Sequence, residues 1–148
     1  MAKLYTIGFT KKSAQKFFEL LEKSGVNTII DIRLNNTSQL SGFAKYPDIK
    51  YFLKKLQNID YIHDLNFSPT EDILKNYKNK LYTWNDYVKY FDKLMNEREI
   101  EKYIVEKYSD CLGKNYCLLC SEDSSENCHR SLISKKFNKI FGIEIEHL

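Results

Sequence analysis

Glycine and proline are scarce in this chain, 5 and 2 of 148 residues, which excludes collagen-like repeats and the low-complexity linkers that need either residue in bulk. No apolar run approaches the ~20 residues that span a bilayer. Met1-Ala2-Lys3-Leu4-Tyr5 leads straight into strand-like sequence without the layout of a signal peptide, so a cytoplasmic protein with no membrane association is expected. Charge of one sign is not in large excess: a formal +3 permits phosphate-bearing partners without demanding them. The sharpest shortage is arginine, since only Arg33, Arg98 and Arg130 stand among 23 basic residues. A chain that uses lysine almost everywhere has a local reason for arginine, and planar, bidentate binding of carboxylate or phosphate is the obvious one.

What is present is enough apolar residue, 43%, to build one ordinary core over 148 residues. Leu4–Gly8 reads as a first strand ending at a glycine. A helix follows from about Ser13 to Ser24, capped by Ser13 and stopped by Gly25. Asn27–Arg33 is a β-branched run of the kind buried on both faces of a central strand. The polar stretch Leu34–Lys45, with Asn35, Asn36, Ser38, Ser41 and Gly42, is long for a mere connector. A helix over Asp48–Gln57, a strand over Asp60–Leu65, and a helix starting at Pro69 and running to Lys78 follow. Trp84–Tyr108 is helical with a break near Glu97, Tyr116–Glu122 is a fourth strand, Cys128–Phe141 is an amphipathic helix stopped by Gly142, and Ile143–His147 is a short last strand. The alternation predicts a single α/β, Rossmann-like three-layer domain over 1–148, with a mostly parallel sheet of about five strands and a helical insert before strand 4. The expected order is 3-2-1-4-5, with a ligand crevice at the carboxyl ends of strands 1 and 4. Three separated motifs, Gly8-Phe9-Thr10, Asp31-Ile32-Arg33 and Cys120-Ser121-Glu122, would then converge.

The segment from Cys120 to Ser131 combines a strand end, a polar loop and a helix start, where unpaired N–H groups and the helix dipole favour an anion. Arg130 in the first turn opposes that dipole, so a bound anion or the carboxylates of Glu122 and Asp31 would have to compensate. Four cysteines without an export signal point to free thiols, a metal site or a catalytic cysteine rather than disulfides. Cys117 and Cys120 look like a zinc ligand pair, but on a straight strand they face opposite sides and Cys117 belongs in the core. Cys120, Cys128 and His129 could still supply three ligands. A phosphatase-like loop fits poorly: Cys120 and Arg130 stand ten apart, and the loop holds Glu122, Asp123 and Glu126 but no glycine. Asp31 and Arg33 share a strand face and can orient a substrate or form a buried ion pair. His129 is better placed as a general acid/base than His63 or His147.

These residues resemble the family called domain of unknown function 488, uncharacterised bacterial and archaeal proteins. The likeness runs nearly end to end, through Tyr5-Thr-Ile-Gly8, Asp31-Ile-Arg33, Asn35-Asn36, Phe43-Ala44-Lys45, Tyr51-Phe52-Leu53, Pro69-Thr70, Trp84 and Cys120-Ser-Glu122 with Cys128-His129-Arg130. The last is the most specific. The resemblance implies a Rossmann-like fold with a pocket lined by these motifs, and no established reaction. Many members carry Ile-Gly-His-Ser at the first strand end where this chain has Phe9-Thr10, so a histidine role there is lost. A proline is common where Ser125 stands.

The leading expectation is an enzyme acting on a phosphorylated or nucleotide-like substrate, with Arg33, Arg130, Thr10, Cys120 and Cys128 binding it and Asp31, Glu122 and His129 handling protons. The alternative is a non-catalytic nucleic-acid module on which Tyr77, Tyr82, Tyr87 and Tyr90 stack bases among lysines. No cofactor or oligomeric state is indicated, and no metal is expected. Protein purified without chelator should therefore carry no stoichiometric zinc; elemental analysis finding about one zinc per chain, lost on Cys128→Ser, would contradict the strand-spacing argument.

Overall fold

The protein is described by a computed structural model over residues 2–37 and 41–148. Ser38, in the polar stretch after the second strand, lies outside the described residues together with positions 39 and 40.

Five parallel strands form one sheet: β1 (Leu4–Gly8), β2 (Thr28–Asp31), β3 (Asp60–His63), β4 (Tyr116–Cys120) and β5 (Ile145–His147). Its order is β3-β2-β4-β1-β5, which corrects the expected 3-2-1-4-5. The strand that returns from the edge inserts between β1 and β2 instead of pairing on β1's far side. The register places Gly8 beside Cys120 and Asp31 beside Leu119. β4 can take the centre because it is apolar on both faces, with all five residues buried, whereas β5 leaves Glu146 and His147 exposed and suits an edge.

Side-chain alternation sorts the core into two layers. On one face Tyr5, Ile7, Ile29, Cys117 and Leu119 pack against α1 (Ala14–Ser24) and α2 (Asp48–Gln57), through Phe17, Leu21, Ile49 and Leu53. On the other, Leu4, Ile30, Leu118 and Cys120 pack against α4 (Trp84–Glu97), α5 (Ile100–Tyr108) and α6 (His129–Phe141), through Phe91, Ile104, Ile133 and Phe137. Ile73 of α3 (Glu71–Lys78) joins the same layer. Cys117 and Cys120 thus belong to opposite layers, as the strand period requires.

Local chemistry sets the boundaries. Ser13 caps α1 by accepting from Lys16 N–H, and Gly25 ends it at φ 66°. Thr83 and Asp86 form a reciprocal capping box on α4. The break near Glu97 falls at Glu99, which adopts φ 51° between α4 and α5. Several expected boundaries shift: β3 ends at His63 rather than Leu65, β4 ends at Cys120 rather than Glu122, and β5 begins at Ile145 rather than Ile143. Pro69 lies before the cap rather than in the first helical turn, because Thr70 accepts from Ile73 N–H and α3 starts at Glu71. β2 ends at Asp31, so Arg33 belongs to the loop beyond the strand. Among the described residues, no helix is long and apolar enough to cross a membrane.

Asp64, 2% exposed, ties the end of β3 to the helical insert. Its carboxylate accepts from Tyr103 and Tyr108 hydroxyls of α5 and its vicinity, and from Asn66 backbone and side-chain N–H. Burial pushes its pKa up most, but the hydrogen bonds from Tyr108, Tyr103 and Asn66 outweigh it and the net direction is down. A depressed folded pKa contributes stability above the unfolded carboxylate value, lost as pH falls through the folded one. Asp64→Ala should strand these donors and cost about 3 kcal/mol in urea unfolding at neutral pH, the deficit narrowing on acidification. An unchanged midpoint would refute the tie.

Candidate functional site

Arg33 is held from three sides. Its Nε and Nη2 donate to the two carboxylate oxygens of Asp31 at 2.9 and 2.7 Å, a bidentate fork. The guanidinium carbon stands 5.2 Å from the centre of the Phe9 ring. His63 Nε2 lies 2.7 Å from the Arg33 carbonyl oxygen. Asp31 is itself fixed by the Tyr61 hydroxyl, which Asn36 supports at 2.9 Å. Both residues are buried, at 0% and 3% exposure. One donor is left over: among the described residues, Arg33 Nη1 is buried and has no hydrogen-bond partner. Buried donors are almost always paired, so this one marks a place for an acceptor that the described residues do not supply.

The second half of the site is the turn from β4 into α6. Cys120 closes the strand, Cys128 is the N-cap of α6, and His129 and Arg130 open the helix. Cys120 Sγ is 3.6 Å from His129 Nδ1, while His129 Nε2 is 2.8 Å from the Ile32 carbonyl oxygen. That carbonyl can only accept, so Nε2 carries a proton and Nδ1 faces the thiol. The ligand atoms of Cys120, Cys128 and His129 all lie within 4.8 Å of one another. A hydrogen bond from Cys128 lowers the Cys120 pKa well below the ordinary thiol value against the cost of burial, with His129 and Arg130 adding to it. Cys128 is pushed up by the same bond and by burial. For His129, burial pulls the pKa down, but the charge and hydrogen bond of Cys120 and the Ile32 carbonyl turn the net direction upward. Cys117, on the other layer, is raised by burial.

Arg130 is 0% exposed and, among the described residues, meets no carboxylate. Its Nη1 donates to the Glu122 carbonyl oxygen, its Nη2 to that of Asp123 at 3.2 Å, and Nη1 lies 4.0 Å from Cys128 Sγ. The expected pairing with Asp31 or the Glu122 carboxylate is corrected: Asp31 is engaged by Arg33, and Glu122 offers its backbone. This clamp presses the 121–123 backbone onto β1. A Cβ on Gly8 would stand 1.5 Å from the Glu122 oxygen, so only glycine fits there. Thr10 completes the seam, its N–H and hydroxyl both donating to Ser121 carbonyl.

The β1/β4 crevice is therefore filled by backbone and Arg130, and the cavity lies beside it, at the carboxyl ends of β2 and β4. It holds about 390 Å³, a size suited to a small ligand. Arg33, Cys120, Glu122, Cys128 and His129 line it. Asp31, Thr10 and Arg130 do not; they position what does. Tyr77, Lys78 and Tyr87 form part of the wall, contributed by the helical insert. Tyr87 is buried and stacked on Trp84 and Phe91, while Tyr82 and Tyr90 stack on each other at 4.7 Å. Phe9, expected at the crevice as part of Gly8-Phe9-Thr10 but given no role of its own, lies with its ring against the Arg33 guanidinium. Lys78 and Asn127 carried no signal, because nothing in their local sequence distinguishes them from other surface residues.

Fold and site together define an α/β protein with helices on both faces of a parallel sheet and a thiol–imidazole–arginine cavity at its carboxyl edge. The family described as Domain of unknown function DUF488 matches residues 13–137, and the chain belongs to it. No curated protein and no solved structure matches.

Arg130→Met should cost roughly 3 kcal/mol of stability, because two charge-assisted bonds and the close β1–loop contact depend on it. Chemical unfolding measures this; an unchanged midpoint would mean that the charge is not used to hold the loop.

Proposed function

We propose that this protein is an enzyme acting on a small phosphorylated or nucleotide-like substrate in the cavity at the β2 and β4 ends. The observation that carries the reading is the spare, buried Nη1 of Arg33, a residue that lines the same cavity as Cys128 and His129 at the start of α6. Two of the arginine's donors and one face of its guanidinium are already occupied, so it is preorganised to offer the third to an anion. Asp31, Phe9 and His63 act through Arg33 by fixing its fork. Lys78 adds a second cation to the wall. Glu122 and His129 line the same cavity and are the groups placed to move protons. The free thiols fit a reducing, cytoplasmic setting. The burial of Tyr87 in the core argues for the enzyme over a base-stacking surface.

Thermal unfolding with inorganic phosphate, phosphorylated sugars and nucleotides tests this. At least one phosphate-bearing compound should stabilise the wild type, and Arg33→Gln should weaken its binding more than tenfold, the worth of one charge-assisted bond of roughly 1.5–3 kcal/mol. Equal affinity in Arg33→Gln would remove the anion anchor and the reading with it.

A further inference from the structure

The cavity holds a reactive group that anchoring a phosphate does not use. Cys120 is 5% exposed and lines the wall, with His129 Nδ1 at 3.6 Å and His129 itself oriented by the Ile32 carbonyl. Nucleophile, base and a third group that fixes the base form the geometric signature of nucleophilic catalysis. The surroundings add a charge argument. Among the described residues, Arg130 is a fully buried cation without a carboxylate partner, and the carbonyls of Glu122 and Asp123 supply only dipoles. An isolated buried charge is costly; the sulfur against it is that of Cys128, 4.0 Å from Nη1, and Cys128 is hydrogen-bonded in turn to Cys120, so a thiolate held by this pair would balance it. The titratable groups around that sulfur are Cys128 at the N-cap of α6, His129 and Arg130 on α6, and Tyr87 on α4.

We propose that Cys120 is the attacking nucleophile of this cavity, activated by His129, on the acyl carbon of a substrate whose anionic group is held by Arg33. The inference deepens the enzyme reading above and rests on it for the anion. A carbon centre is favoured over phosphorus because the β4–α6 turn has no glycine to open a phosphate cradle and carries Glu122, Asp123 and Glu126. In the first step the Sγ–C bond forms and the bond from the acyl carbon to its leaving oxygen or nitrogen breaks. The proton on His129 Nδ1 passes to that leaving atom. Water then attacks the thioester, giving a proton to His129, and the thiolate is expelled; no oxidant or reductant is consumed.

Alkylation of the intact protein tests the assignment without a known substrate. Iodoacetate forms an Sγ–C bond and releases iodide, and peptide mapping by mass spectrometry identifies the cysteine labelled. Cys120 should react first, at a rate that persists below pH 7, whereas an ordinary thiol loses reactivity below about pH 8.5. Iodoacetate should outpace neutral iodoacetamide at Cys120 by more than fivefold. His129→Gln should return the rate profile toward that of a free thiol, and Cys120→Ser should abolish early labelling. The wild-type profile alone decides if a variant fails to fold. Labelling of Cys111 or Cys128 ahead of Cys120, an ordinary thiol profile, or labelling that appears only after a chelator strips a metal from Cys120, Cys128 and His129, would each overturn the proposal. If instead the low-pH reactivity holds but Arg33→Gln leaves the preference for iodoacetate unchanged, the nucleophile stands and the anion anchor fails.

Discussion

Arg130 sits under the β4–α6 turn shielded from water and, among the described residues, without an acid to meet it, so neighbouring dipoles and sulfur have to provide the solvation that water would give. The guanidinium therefore draws in the carbonyls of Glu122 and Asp123 and lies against the Cys128 sulfur. Drawing those carbonyls inward forces the loop onto the end of β1, which tolerates it only because position 8 has no side chain. The same contact fills the crevice between β1 and β4 and leaves the opening beside β2. The location of the cavity is thus a consequence of one buried cation and one glycine.

On the β2 side a second arginine is arranged in the opposite way. Arg33 has its carboxylate, Asp31, and the carboxylate has its own support from Tyr61 and Asn36. The pair is nearly neutral as a unit, which makes burial tolerable, yet among the described residues its geometry leaves the Nη1 amino group without an acceptor. A paired arginine with a spare donor can recognise an anion without paying to reorganise, because the fork is already fixed. Phe9 against its face removes the remaining freedom. The two arginines divide the labour: Arg130 shapes the loop that carries Cys120, Cys128 and His129, and Arg33 lines the same cavity with its fork already fixed.

The helical insert between β3 and β4 closes the site from above. Its Tyr77 and Tyr87 belong to a run of packed rings that continues through Phe91 to His129, whose imidazole meets the Phe91 edge. This packing holds the imidazole from the side while the Ile32 carbonyl holds it at Nε2. Asp64, gripped by two tyrosines, fastens the insert to the end of β3. Stability and site geometry here depend on the same aromatic layer.

The sequence by itself determined the elements and the layers. Runs such as Asn27–Arg33 and Tyr116–Glu122 announce buried strands to within two residues of their ends, Ser13 and Gly25 bracket a helix, and strand alternation places Cys117 away from Cys120. These are local properties, fixed by period and by capping chemistry within a few residues. The convergence of Gly8, Arg33, Cys120 and His129 at one sheet edge was also legible, because parallel strands put their carboxyl ends together. Tertiary structure alone decided that β4 enters between β1 and β2, since both orders satisfy the same apolar pattern and differ only in which long-range ladders form. It alone decided the partner of each arginine. Arg130 could have met Asp31 or Glu122 on charge, but the loop turns the Glu122 carbonyl toward it, and Arg33 stands two residues from Asp31. Backbone carbonyls, which carry no mark in a sequence, settled the shape of the site.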